Sequence, residues 1–376
     1  MYRRLVILLV VVVVTLNTVG TPQYSVEAQA NDCPQEIKTA NPNASPAASR
    51  VLSYLWGLQF RDDKRVVAGQ FGSYGDGADV PAAEARLQKV FDQSGKYPAM
   101  TGMDYRNWDS LHGNNLSIPN KFLIAQWNKG SLITISWHAN NPWTGGPSTD
   151  WEYPAGSGQV RSVRELTQTG SDANKRWLEM LDNIASGLEE LQQAGVVAIW
   201  RPLHEMNGGW FWWNLQSPED YRLLWQHMYN YFTQKKGLNN LLWGYSPNTN
   251  NNEYNKRTDY FYPGDGYVDV VGLDKYRELE EDPLELDAWK EYSDLVSKCK
   301  PMGLFEFGAT PANSQADRPK YDFRKLIRDI KSKYPKIVFF QAWEWHWAIG
   351  EHLSARQLFS DPWVIALEDL PNFREG

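Results

Sequence analysis

The sequence predicts an α/β chain folded as a single (β/α)8 TIM barrel. Eight short apolar runs recur along its 376 residues, each bounded by Gly, Pro, Asn or Asp: 66–71, 97–105, 132–138, 196–201, 241–246, 268–276, 302–308 and 337–343. Runs that are apolar without alternation suit parallel strands buried on both faces. Amphipathic stretches separate them, and eightfold strand–helix alternation implies a closed barrel. The alternative, a doubly wound open sheet, usually carries a glycine-rich phosphate turn after its first strand. Here the first run ends Gly69-Gln70-Phe71-Gly72, which is not that turn.

The helical stretches follow from spacing and punctuation. In 174–193 the apolar residues Trp177, Leu181, Ile184, Leu188 and Leu191 repeat at four and three, and Gly195 is placed to stop the helix. Ser217-Pro218, with Asp220 three residues after the serine, reads as a capped start. Leu224, Trp225, Met228 and Phe232 supply that helix's buried face. Further helices are expected at 81–91, 284–298, 321–334 and 355–370.

The ends of the chain divide differently. Arg3 and Arg4 precede the apolar stretch from Leu5 to Leu16, too short for a membrane span. Residues 1–30 therefore read as a secretory signal, with cleavage after Ala30 in Ala28-Gln29-Ala30, or earlier after Gly20. Residues 31–49, rich in Asn, Pro, Ala and Ser, read as a leader strap. Residues 50–376 read as one (β/α)8 domain. An exported chain permits Cys33 and Cys299, its two cysteines, to pair or to stay free. They are too few and too distant for a zinc site. A net charge of −7 with no basic stripe argues against nucleic acid.

Chemistry in a barrel sits at the strand C-termini. The fourth run is followed by R-P-L-H-E-M-N-G-G-W-F-W-W, from Arg201 to Trp213. His204 and Glu205 lie just past Pro202, where the chain must leave the sheet. Aromatic planes stack on the C–H faces of sugars, and Asn, His and carboxylates pair with hydroxyls, so the stretch suits a carbohydrate. Ordinary packing also explains the four aromatics. The 18 Trp and the 14% aromatic content point the same way, because an indole is costly to leave exposed.

The seventh run, M-G-L-F-E-F-G, places Glu306 at the end of an apolar strand. One reading is a structural carboxylate tied to an Arg. The other pairs it with Glu205: two carboxyls at roughly 5–5.5 Å can run a retaining glycosidase reaction, one protonating the leaving oxygen and one attacking the anomeric carbon. His138, Asn141, Trp143, Tyr276, Trp343 and Asp104 occupy other strand ends. Trp345 and Trp347 read as packing. His204-Glu205 is not followed by the second His of a metalloprotease motif, and no metal or organic cofactor is implied.

Four stretches resemble glycoside hydrolase family 26, best known for endo-β-1,4-mannanases. They are W-R-P-L-H-E-M-N-G-G-W-F-W-W, S-W-H-A-N-N-P-W-T-G-G from Ser136, V-D-V-V-G-L-D-K-Y ending at Tyr276, and L-F-E-F-G. The resemblance implies Glu205 as acid/base and Glu306 as nucleophile. It implies His204 beside the reacting sugar, Tyr276 on Glu306, and Trp343 as the floor of the −1 subsite. His138 and Trp210 would help line that subsite, with Trp143 and Trp151 reaching the cleft. It further implies a hydrolase of β-mannan; with the N-terminal signal the protein is expected to be secreted, and a monomer is expected. Mixed-linkage β-glucanase and β-1,3-xylanase activities of the same family remain alternatives, as does a glycan-binding barrel without catalysis. Strand 8, Q-A-W-E-W-H-W, departs from the family pattern, in which the Trp is followed by Arg or a small polar residue.

Overall fold

A computed structural model describes residues 33–74, 80–106, 115–152, 156–249, 257–277, 281–309 and 320–374. The proposed signal segment lies outside these residues. Eight parallel strands are present: β1 Val66–Ser73, β2 Met100–Asp104, β3 Leu132–Trp137, β4 Ala198–Pro202, β5 Leu241–Tyr245, β6 Val270–Tyr276, β7 Met302–Gly308 and β8 Ile337–Ala342. Each pairs with the next, and β1 pairs with both β8 and β2, which closes the barrel. Closure leaves no open edge among the eight. Nearly every strand residue is buried.

The helices are α1 Pro46–Leu58, α2 Val80–Ser94, α3 Ser117–Asn128, α4 Asp172–Gln193, α5 Pro218–Asn230, α6 Glu291–Val296, α7 Phe323–Lys333 and α8 Ala355–Ser360. The stripe predicted on α4 is its buried face. Trp177 from that stripe stacks on Trp137 of β3, with ring centroids 5.7 Å apart. Gly195 takes φ +71° just past the end of α4, a conformation that costs a residue with a side chain. Ser217 caps α5 by accepting from the Asp220 N–H, and Pro218 occupies the first turn.

Two expected helices are shorter than their sequence pattern. The helix expected at 284–298 is one short piece, Glu291–Val296. Upstream, Leu284 N–H donates to Asp329 and Leu286 N–H to the Tyr334 hydroxyl, so side chains of α7 and of the residue that follows it hold backbone that a helix would have held. The helix expected at 355–370 ends at Ser360, since Pro362 follows closely. The chain then adds a two-residue strand, β9 Val364–Ile365, beside Val66 and Val67 of β1. It covers the part of β1 that β2, whose pairing starts at Gly69, leaves unpaired. Two helices, α1 and α3, have no counterpart in the predicted elements.

The leader segment gives way to α1 at Pro46, capped by Ser45. Before it, Ala40 N–H donates to Asp269, and Asn41 Nδ2 reaches the Leu238 carbonyl. Both partners precede strands, so this segment lies across the barrel's N-terminal end, opposite the site. Both cysteines are disulfide-bonded.

The tryptophan excess has a structural explanation. Trp137, Trp177, Trp200, Trp212, Trp213, Trp225 and Trp243 are all buried to within 2%. They fill the barrel and the space around it, so abundance by itself does not mark a sugar site.

Candidate active site

Pro202 closes β4 opposite Trp137. The next three residues are held one carbonyl at a time. Leu203 C=O accepts from the Tyr221 hydroxyl at 2.9 Å, His204 C=O from Trp213 Nε1 at 2.8 Å, and Glu205 C=O from Asn214 Nδ2 at 2.9 Å. Leu203 and Glu205 both lie in the left-handed region, at φ +48° and +52°. Such backbone costs on the order of 1 kcal/mol per residue and persists where its surroundings over-determine it. The strain is local: it turns the Glu205 side chain across the barrel mouth, while its N–H donates to the Ser246 carbonyl just past β5.

Glu205 is 7% exposed. Its Oε2 accepts from Trp210 Nε1 at 2.7 Å and its Oε1 from Asn248 Nδ2 at 3.0 Å. Asn207 and Asn248 brace each other through two backbone contacts, which fixes the donor to Glu205. Burial, and then the charge of Glu306, push the Glu205 carboxyl up to about 7, against the pull of Asn248, Trp210 and Arg201.

Glu306 stands on β7 beside a break in register. The ladder to β6 passes from Leu273↔Leu304 to Asp274↔Glu306, leaving Phe305 extra. A bulge of this kind re-aims the following side chain. Phe305 packs against Phe339 and over Gly272, Phe307 packs toward Tyr321 and Phe323, and Glu306 points into the mouth. Its Oε1 accepts from Arg201 Nη2 and its Oε2 from the Tyr276 hydroxyl at 2.7 Å. His204 Nε2 lies 3.8 Å from Oε1. The two sequence readings of Glu306 therefore coexist, for it is tied to an Arg and also faces Glu205.

Arg201, 2% exposed, also donates to Asp274 at 2.8 Å. Asp274, Glu306 and Glu205 keep its charge pinned despite burial. His204, Asp274 and Glu306 bring ligand-type atoms within 4.8 Å of one another. The guanidinium already spans both carboxylates, so the place a cation would take is filled by Arg201. Burial, and then Glu306 and Glu205, raise the Tyr276 hydroxyl well above its ordinary range, so it remains a donor.

His138 is 5% exposed; its Nδ1 faces Asp104 at 2.6 Å, and its Nε2 faces His204 Nε2 at 3.0 Å. Trp343 stacks on Phe71 at 4.2 Å, and Tyr74 leans on both Trp343 and His138. Glu205, Glu306, His204, His138, Tyr276, Trp210 and Trp343 thus gather at one end of the barrel. Two predicted residues sit apart. Trp143 donates to Glu165 at 3.0 Å and meets Trp212 edge-on. Trp151 is half-buried, and among the described residues no hydrogen bond or ring contact ties it to the carboxylates.

The four-aromatic run divides as well. Phe211, Trp212 and Trp213 are buried packing, and Trp210 alone reaches a carboxylate. Gly208 leaves room for it, because a Cβ there would meet the Trp210 ring at 2.5 Å. Trp347 packs on Tyr276, as expected of packing, but Trp345 is 65% exposed. Asn248, Asp274 and Tyr74 were missed as site residues. Asn248 had a legible signal, a polar residue just past the fifth apolar run. Tyr74 had none.

Residues 40–369 match the family model described as Glycosyl hydrolase family 26. The chain is 36% identical over 356 residues to mannan endo-1,4-beta-mannosidase A and B of Caldalkalibacillus mannanilyticus, covering 92% of this chain and 64% of that protein's length. It is 34% identical over 341 residues to the mannan endo-1,4-beta-mannosidase of Bacillus subtilis, covering 88% of each. The solved structure of Bacillus subtilis mannanase man26 superposes with a TM-score of 0.74 at 30% identity, covering 88% of this chain and 95% of that one. With the barrel, the two carboxylates and matches over most of its length, this chain belongs to glycosyl hydrolase family 26.

Proposed function

We propose that the chain is an exported, retaining endo-β-1,4-mannanase. The observation that carries the reading is the contrast between two neighbouring carboxyls. Glu205 sits where its proton is retained to about 7, and Glu306 meets donors on both oxygens. Environments that split two carboxyls in this way assign the acid and the nucleophile.

On this reading Glu306 attacks the anomeric carbon while Glu205 gives its proton to the departing glycosidic oxygen. The C–O bond to the leaving sugar breaks, and a glycosyl ester forms on Glu306. Glu205, now ionised, takes a proton from water, and the water oxygen displaces Glu306 from the same carbon. Arg201 and Tyr276 hold the nucleophile in line, and Trp210 and Asn248 hold the acid. Trp343 forms the floor of the −1 subsite, with His138 and His204 at its side. Trp143 and Trp151 belong to more distant parts of the cleft.

Mannan is favoured because the relatives of 34–36% identity are named mannan endo-1,4-beta-mannosidases. Export is supported by the Arg3–Leu16 pattern and by the disulfide-bonded cysteines. No helix among the described residues is long and apolar enough to cross a membrane. The test is reducing-sugar release from mannan, galactomannan, barley β-glucan and β-1,3-xylan side by side. We expect kcat/KM on mannohexaose to exceed that on a gluco-configured hexaose at least ~100-fold, the effect of one misplaced hydroxyl against buried polar partners. A ratio near one, or reversed, overturns the mannan reading and leaves the carboxylate roles standing.

A further inference from the structure

We propose that Asp104 is a positioning residue for hydrolysis, acting through a buried Asp104–His138–His204 chain that directs an imidazole N–H toward His138 and Glu306. The inference rests on Glu306 as nucleophile. It begins with the carboxylate. Asp104 is 1% exposed; its Oδ2 accepts from the Ser136 hydroxyl at 2.6 Å and its Oδ1 from the Arg106 N–H at 2.9 Å. Burial alone would raise its pKa, but His138, Ser136 and Arg106 outweigh burial and hold it at about 2. An ionised carboxylate only accepts, so the His138 Nδ1 lying 2.6 Å away carries a proton.

The next link is His204. Burial, Arg201 and His138 hold its pKa well below the ordinary range, so it is neutral and carries one ring proton. Its Nδ1 is buried and, among the described residues, meets no hydrogen-bond partner. Stranding an N–H there is the costlier choice, because orphaned buried donors are rarer than under-satisfied acceptors. The proton therefore belongs on Nε2. That nitrogen lies 3.0 Å from His138 Nε2 and 3.8 Å from Glu306 Oε1. Asp104 thus fixes His138 as the acceptor, His138 fixes His204 as the donor, and a donor rather than a lone pair faces the nucleophile.

Other charged or titratable groups surround this chain. Arg201 comes from β4, Glu205 from the loop after it, Asp274 and Tyr276 from β6 and Glu306 from β7. Tyr74 leans on the His138 ring and is itself held by Arg106, while Glu344 follows β8. None of them offers the His138 Nδ1 the contact that Asp104 makes.

Asp104→Asn is nearly isosteric and inverts the order. An amide N–H facing His138 Nδ1 moves the His138 proton to Nε2. His204 must then accept at Nε2 and carry its proton on the buried Nδ1, and a lone pair faces Glu306. The ionised nucleophile is then less well accommodated, so the acid limb of the pH–rate profile moves to higher pH.

The experiment has two arms. Nitrogen-15 NMR of the histidine rings in the wild-type protein at neutral pH reads the tautomers directly. We expect protons at His138 Nδ1 and His204 Nε2, and a proton at His204 Nδ1 overturns the proposal. In kinetics on mannan, Asp104→Asn should lower kcat at least ~30-fold, within the range for removing a partner that orients a site histidine. Its acid limb should rise by about one pH unit. A fall in kcat with an unmoved acid limb means a structural role and also overturns the proposal. Should the variant not fold, the wild-type tautomers decide. Activity retained by Glu306→Ala would instead sink the nucleophile assignment and leave the tautomer result intact.

Discussion

The Tyr276 hydroxyl donates to Oε2 of Glu306 at 2.7 Å, while Arg201 takes the carboxylate's other oxygen. The donors come from two different strands, Tyr276 from β6 and Arg201 from β4, so the carboxylate is held in one orientation before substrate arrives. Removing one preorganised donor at a reacting group costs on the order of 10²-fold in kcat. Tyr276→Phe should show that loss with KM changed little. A KM effect alone, with kcat intact, would place Tyr276 in substrate binding instead.

As the proposed acid, Glu205 would hold its proton for the first step, and its pKa is raised to about 7. As pH rises through that value the acid is lost, so kcat/KM should fall on a basic limb centred near it. Glu205→Ala should nearly abolish mannan hydrolysis yet still release an aryl group that needs no proton. That variant should also lose the basic limb. Equal loss on both substrates contradicts the role of Glu205.

How much of this site could be read beforehand differs residue by residue. Glu205, Glu306 and Tyr276 were legible because each ends an apolar run, and strand ends face the mouth whatever the pairing details. The contacts that tune them were not. Asn248 meets Glu205 only once β4 and β5 lie side by side, and Asp274 meets Glu306 only after the bulge at Phe305 resets the register. Arg201 shows the same limit: its strand position was plain, but its two partners come from β6 and β7. Local pattern also erred where tertiary contacts took over the backbone, as at Leu284 and Leu286. Ser45-Pro46 carries the same start signal as Ser217-Pro218, but it lies in a stretch whose Asn, Pro, Ala and Ser content masks the helix that follows.

Double displacement keeps the configuration at the anomeric carbon. Proton NMR of the first product from a β-linked mannan oligosaccharide should therefore show the β anomer before mutarotation. An initial α anomer would mean direct displacement by water and would require the wider carboxyl spacing of an inverting site.

Neither cysteine is a free thiol, and the chain has no third with which either could pair. The protein should resist alkylation until reduced, and reduction should lower its stability by roughly 2–4 kcal/mol. Two thiols titrating in the untreated protein would refute the bond.

Glu344, which follows β8, is a further carboxyl displaced upward by burial. It is 2% exposed, accepts from the Tyr74 N–H at 3.0 Å and lies 3.5 Å from Arg86. Burial raises its pKa from 4.5 to about 7, against the pull of Arg86. A folded-state value above the unfolded one means that the folded protein binds the proton more tightly. The associated stability is fully present below about 4.5 and is lost as pH rises through about 7. Glu344→Gln keeps an acceptor for Tyr74 and does not titrate, while Glu205 and Asp269, also raised, titrate alike in both proteins. The difference in unfolding free energy between wild type and variant isolates Glu344. Between pH 4 and 8 it should move by roughly 2–3 kcal/mol against the wild type, or by roughly 3–6 °C in Tm. A difference that stays constant across that window would show that Glu344 remains ionised beside Arg86 throughout and that the pair, not the proton, supports the Tyr74 turn.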